Sequence, residues 1–324
     1  MLAALVVGGL VALIAGAELV VRYGSLLARK MGVPPMIIGL TIVSIGTSAP
    51  ELAVGIDAMR VNAGSLAVGN IAGTNIVNIA LILGLSAMIR AIDFERRTLV
   101  LDLPGMAIVA LLVFLFSLDG KLDAWEGIPL VLCAIVYTVA LGWYTRREQA
   151  RGRITESILE AEVAEPLPGG RWQVAWFALL LLVGIAVIVL GADWLVRGSV
   201  DLARVFGVSD AFIGLTIVAI GTSAPELVTA LVSTLRGDRD IAVGNLIGSS
   251  VFNLTLILGV PVLVANGSGP IDDFLLHIDL PIMVFVCLLC VPLFITGKRL
   301  SRGEGVFLVA GYFAYLGYLL VART

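Results

Sequence analysis

Two glutamates, Glu51 and Glu226, stand inside apolar stretches of the chain, and each ends the same hexapeptide, Gly-Thr-Ser-Ala-Pro-Glu. A charged side chain at the centre of a membrane span costs at least about 2.5 kcal/mol, so a carboxylate there indicates a functional site. The preceding prolines, Pro50 and Pro225, interrupt the helix and free backbone carbonyls. Transporters hold ions in such broken helices near the middle of the bilayer. The sequence therefore predicts a cation or proton site built on two carboxylates.

Short polar side chains accompany each glutamate at helical spacing. Thr47 and Thr222 stand four residues before Glu51 and Glu226, a spacing that shares one face of a helix. Two other apolar segments carry polar pairs with the same spacing, namely Thr74 with Asn78 and Ser249 with Asn253. Carboxylate, hydroxyl and amide oxygens suit a hard cation such as Ca²⁺ or Na⁺. Two glutamates balance one divalent cation, two monovalent cations or two protons.

The composition is that of a polytopic membrane protein. Of the 324 residues, 59% are hydrophobic and only 14% are charged. We predict ten membrane segments. The fourth, fifth, ninth and tenth are expected to hold no buried carboxylate. The loop after the first segment is expected to contain Arg22, Arg29 and Lys30. The segments are 2–21, 35–59, 66–89, 98–118, 124–144, 174–196, 211–235, 241–264, 277–295 and 303–321.

An internal repeat relates the two halves of the chain. Residues 16–84 match residues 191–259 without a gap at a constant offset of 175, and about half of the positions are identical. Five segments in each half invert the second half relative to the first. We therefore predict an all-α polytopic membrane protein with ten transmembrane helices, arranged as two inverted five-helix repeats with broken central helices. The repeats are 1–144, with motif 39–84, and 173–324, with motif 214–259, joined by a cytoplasmic linker loop, 145–172.

Basic residues predict the orientation. With the N-terminus outside, 16 Lys and Arg fall on the inner side and 5 on the outer side. The N- and C-termini are then periplasmic and the linker is cytoplasmic. We expect interfacial ion pairs between Glu18 and Arg22 and between Asp193 and Arg197, one helical turn apart.

Paired glycines also stand in the third and eighth segments. Gly69 with Gly73, and Gly244 with Gly248, have the spacing that lets two membrane helices approach closely.

Together these motifs resemble the calcium/cation antiporter superfamily, and most closely its prokaryotic sodium/calcium exchanger branch. The resemblance rests on the repeated hexapeptide and on a Gly-Asn-x-x-Gly-[Thr/Ser]-[Asn/Ser] motif in each half, and it covers nearly the whole chain. It implies ten helices, alternating access and export of Ca²⁺ driven by entering Na⁺ in the inner membrane of a bacterium. The metal ligands that it implies are Thr47, Ser48, Glu51, Thr74, Asn78, Thr222, Ser223, Glu226, Ser249 and Asn253, with carbonyls near Ser44 and Ala219 assisting Na⁺.

The resemblance has one departure, because many family members carry Asp where this chain has Asn253. The chain has one carboxylate fewer, which leaves open an antiporter that exchanges Ca²⁺ or another divalent cation for H⁺. A passive cation channel is the alternative from a different class. An intramembrane enzyme and an ATP-driven pump are disfavoured, since the chain has one His and no nucleotide-binding loop. We expect no cofactor and no nucleic-acid partner. The expected substrates are Ca²⁺ and Na⁺, and the expected surroundings are the lipid bilayer. We expect a monomer to be the acting unit.

Overall fold

The computed structural model describes residues 2–94, 96–150, 171–206, 219–267, 270–295 and 298–322. Nearly all of them are helical, because a backbone surrounded by lipid must satisfy its hydrogen bonds within the helix. Eight helices are long and apolar enough to span a membrane, and a bent pair of helices brings the count of candidate spans among the described residues to nine. The predicted all-helical membrane fold is confirmed, while residues 211–218 of the predicted seventh span lie outside the described residues.

The helices are named here in chain order, α1 to α12, and the two short strands are β1 and β2. The first half comprises α1 (Leu2–Met31), α2 (Pro35–Thr47), α3 (Ala49–Arg60), α4 (Gly64–Ile89), β1 (Ile92–Asp93), α5 (Thr98–Asp119) and α6 (Ala124–Ala150). The second half comprises α7 (Arg171–Val205), α8 (Ala219–Thr222), α9 (Ala224–Arg236), α10 (Asp240–Val264), α11 (Leu275–Asp279 continued by Leu280–Ile295), β2 (Arg299–Leu300) and α12 (Arg302–Ala322).

Each half contains the predicted helix break at the same repeat position. Ser48 leaves the helical conformation with φ −84° and ψ 9°, and Ser223 does so with φ −86° and ψ 8°. The prolines that follow them, Pro50 and Pro225, occupy the first turn of α3 and of α9, where a missing N–H costs nothing. Helices α2 and α3 meet at 42°.

Short π-helical turns interrupt the helices beside these breaks. They include Gly39–Val43 in α2, Val77–Leu83 in α4 and Asn253–Ile257 in α10. The helical periodicity of the sequence does not reveal such turns, and they occur often at functional sites. Asn78 and Asn253 both lie within them.

Loop contacts define two faces of the molecule. Strand β1, after α4, pairs antiparallel with β2, before α12, and we call this end the strand face. At the start of α4, the Ser65 amide donates to the carbonyl of Pro270 at 3.1 Å, which defines the Pro270 face. Helix α4 has 26 residues and is about 39 Å long, so the two faces lie on opposite sides of a bilayer. The loop after α4 and the loop after α10, its repeat equivalent, lie on opposite faces, as an inverted repeat requires.

Close packing of α1 against α7 holds the two halves together at one side. A Cβ atom on Gly9 would lie 2.7 Å from the Gly191 carbonyl, and one on Gly16 would lie 2.8 Å from the Gly184 carbonyl. Only glycine allows the two backbones to come this close. A larger apolar cluster formed by α4, α5, α10 and α11 makes the centre of the molecule.

Three buried carboxylates contradict the prediction that the outer helices hold none. Glu126, in the first turn of α6, is 5% exposed and accepts a hydrogen bond from the backbone N–H of Asp123 at 2.8 Å. The other two are Asp102 of α5, which is 0% exposed, and Asp279 of α11, which is 5% exposed. Each accepts a hydrogen bond from a tyrosine on the neighbouring helix, Tyr137 Oη to Asp102 at 3.0 Å and Tyr315 Oη to Asp279 at 2.7 Å. Arg97 also lies 3.5 Å from Asp102. The hydrogen bond from a tyrosine on another helix offsets part of the free-energy cost of burying each of these two aspartates.

Three further expectations need correction. Arg29 and Lys30 form the last turn of α1, not a loop, because α1 continues ten residues beyond the predicted end, and Arg22 lies within it. Glu18 pairs with Arg236 of α9, not with Arg22, whereas Asp193 pairs with Arg197 at 2.8 Å as predicted. Helix α6 extends through the first residues assigned to the linker, and residues 151–170 lie outside the described residues.

Candidate functional site

The helix breaks place both glutamates in the first turn of a helix. Glu51 and Glu226 are the third residues of α3 and α9, where the unpaired N–H groups and the helix dipole favour negative charge. The predicted break lies between Thr47 and Glu51, since Ser48 ends α2 there. The same break separates Thr222 from Glu226.

Both carboxylates are removed from solvent. Glu51 is 1% exposed and Glu226 is 0% exposed. Within the described parts of the chain, no Lys, Arg or His forms an ion pair with either. Two neighbouring buried carboxylates without a basic partner need cations or protons to balance them.

Contacts between the repeats bring the two breaks together. Ser48 Oγ lies 3.5 Å from Glu226 Oε1, so a residue of the first break touches the carboxylate of the second. Thr47 donates a hydrogen bond of 3.2 Å to Oδ1 of Asn245 in α10. Ser44 donates to the backbone carbonyl of the same asparagine at 2.9 Å. Asn245 is thus part of the site, although it was not among the predicted ligands.

Several buried oxygens of the site have no hydrogen-bond partner among the described residues. They come from both repeats and from six of the ten predicted ligand positions. These atoms are both carboxylate oxygens of Glu51, Oε2 of Glu226, Oδ1 of Asn78 and of Asn253, and Oγ of Ser223 and of Ser249. A buried polar atom without a partner is costly, so these oxygens are suited to a ligand that supplies positive charge. Oxygen donors in this number match the coordination of Ca²⁺.

Nine of the ten predicted ligands are buried, and the tenth, Thr222, is half-buried. Helix α3 packs against the π-helical turn that carries Asn253, and α9 packs against the one that carries Asn78. The predicted assisting carbonyl of Ala219 belongs to α8, and the preceding residues 214–218 of the second motif lie outside the described residues.

A cavity borders the site in the half of the molecule nearer the Pro270 face. It has a volume of about 150 Å³ and lies between the first half of α4 and the second half of α12. We call it the Tyr315 cavity; its lining residues include Asn70, Thr74, Thr222 and Tyr315. A second cavity of about 420 Å³, lined by Pro50, also ends at Thr222. Thr222 is therefore the site residue that both cavities expose.

Two residues that line the Tyr315 cavity have repeat counterparts that are closely packed instead. Thr47 and Asn245 correspond to Thr222 and Asn70, and both are fully buried and bonded to each other. A Cβ atom on Gly244 would lie 2.5 Å from the Met36 carbonyl, so α2 covers α10 here as the predicted glycine pair allows. Among the described residues, the site thus borders cavities on the side of the Pro270 face and is closely packed toward the strand face.

The chain is similar to known proteins over nearly its whole length. The model of the family described as sodium/calcium exchanger protein matches residues 1–143 and 176–321. Inner membrane protein YrbG of Escherichia coli (strain K12) is 36% identical over 98% of this chain and 96% of its own length. Sodium/calcium exchanger MaX1 of Methanosarcina acetivorans is 33% identical over 95% of each protein.

Solved structures give the same result. The sodium/calcium exchanger from Methanococcus jannaschii superposes with a TM-score of 0.81 at 26% identity, over 98% of this chain and 99% of that one. The repeat-related helix breaks, the paired buried glutamates and these matches over nearly the full length agree. The chain belongs to the sodium/calcium exchanger protein family.

Proposed function

We propose that this protein is a secondary antiporter that exchanges Ca²⁺ for Na⁺ across a bacterial inner membrane. The observation that carries the proposal is the set of buried, unpartnered oxygens around Glu51 and Glu226, drawn from both repeats. Relatives named as sodium/calcium exchangers, such as MaX1, support the choice of ions. The full-length similarity to YrbG supports the inner-membrane location.

In this proposal the two glutamates neutralise the transported ions. One Ca²⁺ balances both carboxylates, and Na⁺ ions that replace it balance the same charge. The unloaded site would carry two uncompensated charges between apolar helices, so crossing is favoured only when the site is occupied. Thr47, Ser48, Thr74, Asn78 and their repeat partners would complete the coordination shell.

The orientation follows the basic residues. The strand face carries Arg90, Arg97, Arg236 and Arg299, so we place it in the cytoplasm and the Pro270 face in the periplasm. Both termini are then periplasmic, and the 145–172 linker is cytoplasmic. In the conformation described above, the Tyr315 cavity and the cavity lined by Pro50 then lie on the periplasmic side. We propose the monomer as the acting unit.

The test is ⁴⁵Ca²⁺ uptake into proteoliposomes loaded with Na⁺, compared with liposomes loaded with K⁺ and with liposomes under a pH gradient. We expect uptake that requires internal Na⁺ and is lost in Glu51→Gln and Glu226→Gln. Uptake that follows the pH gradient and ignores Na⁺ would assign the site to H⁺ exchange. Flux without any counter-ion would refute antiport and indicate a channel.

A further inference from the structure

A stripe of hydroxyl side chains continues along α9 from Glu226 toward the strand face. Thr229 and Ser233 follow Glu226 at spacings of three and seven residues, and so share its helix face. Both are fully buried, and neither side-chain oxygen has a hydrogen-bond partner among the described residues.

This stripe lies inside the protein. Val228 and Val232, which directly precede Thr229 and Ser233, pack against the apolar cluster of α1 and α7. Helix α9 also packs against the second half of α4. That part of α4 contributes Ser86, which is also fully buried and has an unpartnered hydroxyl.

Some buried hydroxyls elsewhere in the membrane helices are satisfied locally, whereas those of Thr234 and Ser250 also have no partner among the described residues. Thr255 donates to the Val251 carbonyl at 2.7 Å, and Ser117 donates to the Val113 carbonyl at 2.8 Å, each four residues back along its own helix. This is the usual solution for Ser and Thr in such helices. The hydroxyls of Thr229, Ser233 and Ser86 do not use it, although an unsatisfied buried hydroxyl costs free energy.

The first repeat has no such stripe. The counterparts of Thr229 and Ser233 are Val54 and Ala58, and the counterpart of Ser86 at the same offset is Pro261. Pro261 packs closely there, since a Cβ atom on Gly55 would lie 3.1 Å from its Cγ. The hydroxyls are therefore not a packing device that the two inverted repeats share.

We propose that Thr229, Ser233 and Ser86 line the ion pathway between Glu226 and the strand face, and that this pathway is closed in the conformation described here. The inference rests on the proposed function and assigns residues to the half of the pathway that is closely packed among the described residues. When α9 and α4 separate, the hydroxyls bind the transported Na⁺ or Ca²⁺ in place of part of its hydration water, as oxygen ligands do for these ions. The equivalent face of α3, with Val54 and Ala58, stays dry in both states.

The first experiment measures access to Ser233. Cys133, Cys287 and Cys290 are replaced by Ala, and a single cysteine is introduced by Ser233→Cys, Ser86→Cys or, as the matched control, Ala58→Cys. A membrane-impermeant thiol reagent is then applied to membrane vesicles of each orientation. We expect labelling of Ser233→Cys and Ser86→Cys from the strand-face side only, and none of Ala58→Cys from either side. Absence of labelling at both serine positions, in variants that fold, would overturn the proposal.

The second experiment separates a pathway role from a structural role. Thr229→Val with Ser233→Ala should lower the maximal rate of Na⁺-dependent Ca²⁺ uptake at least fivefold. Equilibrium ⁴⁵Ca²⁺ binding to the detergent-solubilised protein and its melting temperature should stay unchanged. An unchanged uptake rate would overturn the proposal. A lower uptake rate together with a lower melting temperature would also overturn it, because it would indicate a structural role. Strand-side labelling of Ser233→Cys in a protein whose parent shows no Na⁺-dependent uptake would refute the exchanger and still support the pathway.

Discussion

The Thr47 hydroxyl donates a hydrogen bond to Oδ1 of Asn245, and the repeat counterparts of these two residues, Thr222 and Asn70, instead line a cavity. Two copies of one motif thus adopt different environments within a single chain. The bonded pair lies on the side that is closely packed toward the strand face, and the cavity pair lies on the side of the Pro270 face. In an alternating-access cycle, the two pairs would exchange these environments.

The bond between Thr47 and Asn245 should therefore help to keep the strand side closed. A typical hydrogen bond contributes ~0.5–1.5 kcal/mol, and about 1.4 kcal/mol corresponds to a tenfold change in an equilibrium. We expect Thr47→Val to increase access from the strand face by roughly two- to tenfold. The measurement is the labelling rate of a single cysteine at Leu40, which is buried in α2.

The control for this experiment is Thr41→Val in the same helix. The Thr41 hydroxyl bonds to the Ile37 carbonyl of its own helix at 2.6 Å and joins no second element. Its loss should leave the labelling rate at Leu40 unchanged. Equal rates in the two variants would contradict the assignment of the Thr47 bond to closure.

The buried glutamates predict a stability that depends on ions. An ion that binds only the folded protein stabilises it by about 2.7 kcal/mol at a hundred times its Kd. We expect Ca²⁺ to raise the melting temperature of the detergent-solubilised protein and chelation to lower it. Glu51→Gln should abolish the Ca²⁺ effect and should melt higher than the parent without ions, because it removes one buried, unpaired charge.

Asp57→Asn is the matched control for that variant. Asp57 lies in the same helix as Glu51 but is exposed, with Arg60 3.9 Å away. Its neutralisation should leave both the melting temperature and the Ca²⁺ response as in the parent. A full Ca²⁺ response in Glu51→Gln would remove this carboxylate from the binding site.

Sequence reasoning predicted well those features that depend on local composition. The bounds of most spans agree within a few residues, because long apolar runs dictate membrane helices. The breaks at Ser48 and Ser223 followed from the repeated Pro-Glu pairs. Periodicity could not reveal the π-helical turns, since an extra residue in one turn leaves no trace in a short apolar pattern.

Features that depend on contacts between distant segments were missed. Asp102 and Asp279 each find a tyrosine on another helix, and Glu18 finds Arg236 far along the chain. A signal for the two aspartates was present, because each begins an Asp-Leu-Pro sequence at nearly corresponding positions of the two halves. The importance of Asn245 was likewise indicated by the repeated Gly-Asn pair.

The two tyrosine–aspartate pairs should differ in their contribution to stability. Tyr137 is buried with Asp102, so Tyr137→Phe leaves a buried carboxylate oxygen without its donor, at a cost of ~1–3 kcal/mol. Tyr315 borders a cavity, where water can replace its hydroxyl, and Tyr315→Phe should cost less than about 1 kcal/mol. Thermal unfolding of the two variants under one set of conditions provides the comparison. A larger loss for Tyr315→Phe would contradict the difference in solvation.

Gly248 is one of the positions where α10 and α2 pack closely, and its substitution tests that packing. A Cβ atom there would overlap Ser44 Oγ and would lie 2.7 Å from the Leu40 carbonyl, a backbone atom that cannot rotate away. Overpacking of this kind costs ~1–3 kcal/mol, so we expect Gly248→Ala to lower the melting temperature and to weaken closure of the strand side. Gly311→Ala in α12 is the control, because no heavy atom of the described chain lies within 4 Å of its added Cβ and alanine favours a helix. If both variants melted at the same temperature as the parent, the close contact between α2 and α10 would not be a determinant of the closed side.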